Sequence, residues 1–216
     1  MKARYLLLSL LIVLASFAAT AWFYPGLPER IPLHWNVHGE IDRYGTRDSI
    51  FTLPLVMAGL LALLAVLPRL DPQRISVKAS GDTYWFCALV VTGLLAYVQV
   101  LLLWGAGGDG VDVPRALVGG LAVFLALLGN VMGKVRRNFW VGVRTPWTLA
   151  NERVWYATHR LAGKTMVLAS LLALATVLAG LNPAFGVVLI VAGVLLPAGY
   201  SLVYYKQLER SGRLDA

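Results

Sequence analysis

Apolar residues dominate six stretches of this chain, 5–24, 51–68, 84–104, 116–132, 165–181 and 184–205, each 17 to 22 residues long. A helix rising ~1.5 Å per residue over such a length covers most or all of the ~30 Å hydrocarbon core of a bilayer. The pattern therefore predicts an all-α fold: a polytopic membrane helical bundle of six transmembrane helices. Pro54 falls in the first turn of the second run, where it costs little, and Pro197 is placed to kink the sixth. Asn182-Pro183 reads as a tight turn that makes spans five and six an antiparallel pair. Ala19-Thr20-Ala21 fits the small-residue cleavage pattern of a signal peptide, but Trp22, Phe23 and Tyr24 follow as an aromatic anchor, so the first run is kept as a span. Ala122 and Ala126, and Ala169 and Ala173, have the four-residue spacing that allows close helix contact, or are ordinary apolar filler.

Charge orients the bundle. Fifteen of the nineteen Lys and Arg residues lie in segments on one side: Lys2 and Arg4, then Arg69, Arg74 and Lys78, then seven between 134 and 164, then Lys206, Arg210 and Arg213. Arg30, Arg43, Arg47 and Arg115 make up the other side. Cations flanking spans mark the cytoplasmic face, which predicts both termini inside. With 58% hydrophobic and 14% charged residues and a mean hydropathy of +0.69, a multi-pass protein of a cytoplasmic membrane is the class implied. The net charge of +8 is divided among loops between apolar runs, so the expected counter-charge is the membrane lipids of the inner face and not nucleic acid. Cys87 lies within an apolar run. The spans carry no Asp, Glu, Lys, Arg or His, which argues against an ion-coupled transporter, and Gln99 calls for an interhelical hydrogen bond. Two regions are expected: a two-span membrane hairpin over 1–70 with an outer loop at 25–49, and a four-span region over 71–216 with a cytoplasmic motif loop at 133–164.

The outer loop, PGLPERIPLHWNVHGEIDRYGTRDS, is rich in turn formers. Leu33 to His38 can form one helical turn, with Pro32 at its start and Gly39 past its end. Such a turn sets His34 and His38 on one face with Glu40 and Asp42 close by, residue types that suit zinc; the alternative is a pair of interfacial histidines. No HExxH or comparable signature accompanies them, and no metal is assigned. His34, Trp35, Asn36, Gly39 and Asp42 are the binding candidates on this side.

The other polar stretch, Gly129 to Lys164, sets seven cations against the single anion Glu152 and interleaves Trp140, Trp147 and Trp155. Asn130 ends span four, Asn138 to Thr145 is expected to be extended or re-entrant, and Pro146 disfavours helix at Thr145. Thr148 is the expected N-cap of a cytoplasmic interfacial helix running to about Ala162, on which Trp155 and His159 share a face. This loop can anchor at the headgroups, dock a cytoplasmic protein through its Arg and Trp side chains, or hold a phosphate on Arg136, Arg137 and Arg144. Its candidates are Asn130, Asn138, Gly142, Arg144, Thr145, Pro146, Trp147, Trp155 and His159. His159 with Asn138 and Arg144 offers a polar site, and His34 with His38 another, so a membrane transporter or a lipid- or peptide-modifying enzyme is the alternative function. Neither set has a Ser or Cys nucleophile or paired carboxylates beside it, and no catalytic residue or cofactor is assigned.

PERIPLHWNVHGEIDRYG resembles the loop of a bacterial membrane domain family of unknown function. The pattern GN-x3-K-x3-NFWVGVRTPWTL-x2-E-x2-W-x2-THR-x2-G is similar to the signature of the SdpI family, with Asn138, Gly142, Arg144, Thr145, Pro146, Trp147, Trp155, Thr158, His159 and Gly163 in register. The two patterns occur in this order in SdpI-like proteins, and the resemblance covers nearly the whole chain. It implies a bacterial membrane immunity protein, with a secreted toxin peptide as partner outside and a small transcriptional repressor as partner inside.

Overall fold

The computed structural model describes residues 2–36, 38–70, 81–108 and 110–214. The expectation that Arg74 and Lys78 lie in a cytoplasmic connection falls on 71–80, outside the described residues. The described elements run α1 (Lys2–Phe23), β1 (Arg30–Trp35), β2 (Ile41–Thr46), α2 (Thr52–Leu70), α3 (Gly81–Gly107), α4 (Val113–Met132), α5 (Pro146–Ala150), α6 (Glu152–Leu178) and α7 (Pro183–Arg210). Among the described residues, six helices are long and apolar enough to cross a membrane, and they correspond one to one to the six apolar runs. The fold is an all-α polytopic bundle carrying one small β-hairpin.

Helices extend past the apolar runs wherever a cap is available. Asp112 accepts from the backbone N–H of Arg115 and starts α4; Asn182 accepts from that of Ala184 and starts α7. α6 begins at Glu152, capped by Asn151, and continues without a break to Leu178. This corrects the expected end near Ala162: the helix runs on unbroken into that of span five, and Gly163 does not stop it because it packs against Gly129 of α4.

α4, α6 and α7 share one core, built from Val118, Ala122, Leu125, Met166, Ala173 and Ile190. Small residues let these helices approach closely, as membrane helix pairs require in the absence of a hydrophobic force between them. A Cβ built at Gly163 would lie 2.9 Å from the Gly129 carbonyl oxygen, and one at Gly193 would lie 2.4 Å from Ala169 Cβ. Ala122 and Ala173 are fully buried in the same core. Val13, Met57 and Leu61 join α1 to α2. Gln99 of α3 donates from Nε2 to Thr20 Oγ1 at 2.9 Å and to the Ile50 carbonyl at 3.1 Å, tying α3 to α1 and to the turn before α2. That is the interhelical bond its sequence position calls for.

Candidate functional site

The chain places polar structure at both ends of the bundle. At one end, β1 and β2 pair antiparallel from Arg30 opposite Thr46 to Trp35 opposite Ile41, with an irregularity around Pro32 to Trp35. Ile31 of β1 is buried with Leu27, Ile50 and Ala106, which seats the hairpin on the ends of the helices. The expected helical turn at Leu33–His38 does not form. Asn36 instead builds the hairpin turn: its Oδ1 accepts from the N–H of His38 and of Glu40, its Nδ2 donates to Glu40 Oε2, and Gly39 takes φ +84°. A strand rather than a helix wins because residues 41–46 offer backbone partners across the pair, while a single helical turn makes only one or two such bonds.

This geometry also corrects the zinc arrangement. His34 Nδ1 lies 2.6 Å from Asp42 Oδ1 across the strands, while the Glu40 carboxylate is engaged by Asn36. His34, His38, Glu40 and Asp42 therefore do not converge, and among the described residues no group of three His, Cys, Asp or Glu side chains is arranged to hold a metal. Trp35 packs on α3, where a Cβ at Gly105 would come within 2.8 Å of its Cζ2. A small cavity of about 230 Å³ opens between Leu33–Asn36 and the ends of α3, α4 and α7.

At the opposite end, the motif loop folds back on the start of α6. Asn138, 7% exposed, is its hub: Nδ2 donates to the carbonyls of Arg136 and Val141, and Oδ1 accepts from the N–H of Trp140 and Val141. The stretch expected to be extended or re-entrant is thus a compact turn. Gly142, at φ +116°, brings the chain onto His159, and a Cβ there would lie 2.2 Å from Nε2. His159 Nε2 accepts from the Val143 N–H at 3.0 Å and Nδ1 lies 2.8 Å from the Trp155 carbonyl. One ring nitrogen faces a donor and the other an acceptor, so the imidazole is neutral with its proton on Nδ1. The ring stacks on Trp155 at a centroid distance of 4.1 Å, and Trp155 Nε1 donates to the Val135 carbonyl at 2.8 Å.

Thr145, and not Thr148, is the first cap: its side chain accepts from the Thr148 N–H, and Thr148 answers with its hydroxyl in a reciprocal box around α5. Thr148 also donates to the Val143 carbonyl, and Thr145 Oγ1 meets Ser201 Oγ of α7 at 2.9 Å. Arg144 donates to the Phe139 carbonyl. Asn151 Nδ2 reaches the Leu214 carbonyl, pinning the chain beyond α7 to this end.

The motif-loop candidates therefore divide. Asn138, Trp155 and His159 are buried and hydrogen-bonded within their own chain, as is Thr148, and Thr158 is buried beside them. Asn130, Arg144 and Pro146 are exposed, with Gly142, Thr145 and Trp147 half-buried around them. Sequence reasoning missed Asn151 and Ser201; an Asn three residues before Val154 at a helix start was the available signal for the first, and nothing local marks the second.

Residues 134–205 match the SdpI/YfhL protein family, and residues 11–58 match the domain of unknown function DUF1648. The chain is 27% identical over 213 residues to the immunity protein SdpI of Bacillus subtilis (strain 168), covering 95% of this chain and 98% of that protein. It is 35% identical over 73 residues to an uncharacterized protein of Archaeoglobus fulgidus, covering 28% of this chain and 40% of that one. No solved structure matches the chain.

Proposed function

From a chain that carries a DUF1648 segment followed by an SdpI/YfhL family region, we propose a multi-pass membrane immunity protein of the bacterial cytoplasmic membrane. The carrying observation is end-to-end similarity to an immunity protein, over 95% of one chain and 98% of the other. In this reading both termini are cytoplasmic, the hairpin end faces out and the motif loop faces in. The hairpin is the surface for a secreted antimicrobial peptide: His34, Trp35, Asn36 and Asp42 lie together on or beside its turn, held there by backbone pairing. The exposed part of the motif loop, Arg144 and Pro146 with Trp147 beside them, is the docking face for a cytoplasmic repressor, since Arg and Trp are common interface anchors. The buried part positions that face.

Topology is tested first. Single cysteines replace Glu40 and Arg144 in a Cys87→Ala background, and intact cells are treated with a membrane-impermeant thiol reagent. Position 40 should be labelled and position 144 only after lysis; labelling of position 144 in sealed cells overturns the orientation. Immunity is tested in a sensitive bacterium making this chain and challenged with a purified secreted killing peptide. Protection by wild type, lost in Trp35→Ala at equal membrane abundance, is the expected result.

A further inference from the structure

A groove of about 900 Å³ runs between α1 and α3 on one side and α4 and α6 on the other, and nothing in the immunity reading uses it. Its volume falls in the ~300–1,000 Å³ range of sites that take small molecules. The walls are apolar along most of their length, from Leu8 and Phe86 to Val123 and Leu174. Glycine makes it concave: a Cβ built at Gly93 would meet nothing within 4 Å, and one at Gly119 only Val177 at 3.9 Å. At the hairpin end the lining changes to Asp112 and Arg115, the first charged groups along it. These two are held in place by the start of α4. Asp112 Oδ1 accepts from the Arg115 N–H, the Arg115 guanidinium donates to the Gly180 carbonyl at 3.2 Å, and Arg115 Nε lies 3.5 Å from Asp112 Oδ2. Both side chains stay partly open, at 37% for Arg115 and 51% for Asp112.

We infer that this groove is a phospholipid site, taking one acyl chain along its floor and a phosphoethanolamine headgroup at the Asp112–Arg115 pair. The walls belong to membrane-spanning helices, so the medium that fills an open groove here is hydrocarbon. The lining on α4 runs from Arg115 to Leu127, about 18 Å at ~1.5 Å per residue, against about 15 Å for the hydrocarbon of one leaflet. An acyl chain of one leaflet therefore reaches the floor while its glycerol stays level with Arg115. The headgroup choice follows from the pair of opposite charges. A phosphate is drawn to the guanidinium and a primary ammonium to the carboxylate, whereas a headgroup with phosphate alone leaves Asp112 facing a like charge.

The test is native mass spectrometry of the full-length protein released from micelles doped with phosphatidylethanolamine or phosphatidylglycerol of identical chains. Wild type should retain one lipid, with phosphatidylethanolamine preferred about two- to fivefold, the range expected for one exposed ion pair. Asp112→Asn keeps the helix cap, because an Asn oxygen accepts the same bond, and should erase that preference without abolishing binding. Gly93→Phe projects into the open groove and should reduce retention of both lipids. Thermal unfolding of each variant in the same detergent checks that it is folded; if Gly93→Phe is not, Gly93→Leu takes its place. Equal retention of both lipids by wild type and Asp112→Asn overturns the headgroup assignment. Unchanged retention in a folded Gly93→Phe or Gly93→Leu protein overturns the groove as the site.

Discussion

Gly142 and His159 form a contact with no room to spare. At φ +116° a side chain is strained, and a Cβ would push directly on the imidazole nitrogen that accepts the Val143 N–H. Gly142→Ala is expected to displace the ring, leave the partly buried Val143 N–H unpaired and cost about 1–3 kcal/mol, seen as a lower unfolding temperature in detergent. Trp155→Phe keeps an aromatic ring for stacking but deletes the donor to the Val135 carbonyl, and should cost a similar amount. Unfolding temperatures equal to wild type in both variants would mean that the loop does not rest on α6 as described. The i, i+4 spacing made the Trp155–His159 pair legible in the sequence, and the stacked rings bear it out. What the rings bind was not legible, because their partners are backbone groups of Val135 and Val143, and a backbone group leaves no residue-type signal.

Whole elements divide the same way between the legible and the hidden. Six spans and the Asn182-Pro183 turn follow from apolar run length and capping chemistry, both local properties. The hairpin was hidden because its stability is not local: Pro32 and Gly39 look like helix bounds until residues 41–46 supply a second strand. The continuity of α6 past Ala162 was hidden for a related reason. A polar, tryptophan-rich stretch reads as separate from the apolar run after it, yet Trp155 and His159 are fully buried against their own loop, and that packing carries the helix on into the run. Asn36 holds the hairpin turn through three side-chain hydrogen bonds. Asn36→Ala should therefore speed hydrogen exchange at the amides of His38 and Glu40 about fivefold or more, the effect of losing ~1 kcal/mol of local protection. Exchange no faster than wild type at those two amides would show that the turn is held by strand pairing alone.

The whole molecule joins its two ends through α4 and α6. α4 starts beside the hairpin at Asp112 and ends at the motif loop; α6 starts under that loop and returns to the hairpin end at Leu178. They approach closely at Gly129 and Gly163, near the motif loop, where backbone meets backbone with no side chain between to absorb a shift. Packed helix pairs of this kind have discrete arrangements rather than a continuum, so a displacement at one end is passed to the other or resisted altogether. Arg144 is different: it binds the carbonyl of Phe139 within its own loop, and its exposed side chain lies on the rim of that structure. Gly163→Val should force the pair apart at a cost of about 1–3 kcal/mol and weaken protection against a killing peptide together with recruitment of a cytoplasmic partner. Arg144→Lys keeps the charge but loses the planar fork, so recruitment should fall while protection stays within twofold of wild type, a difference of about 0.4 kcal/mol. Both are read in the same cells, as survival against peptide concentration and as partner recovered with the membrane fraction. If Arg144→Lys loses protection as completely as Gly163→Val, the motif loop and the hairpin act as a single unit, and the assignment of separate inner and outer tasks fails.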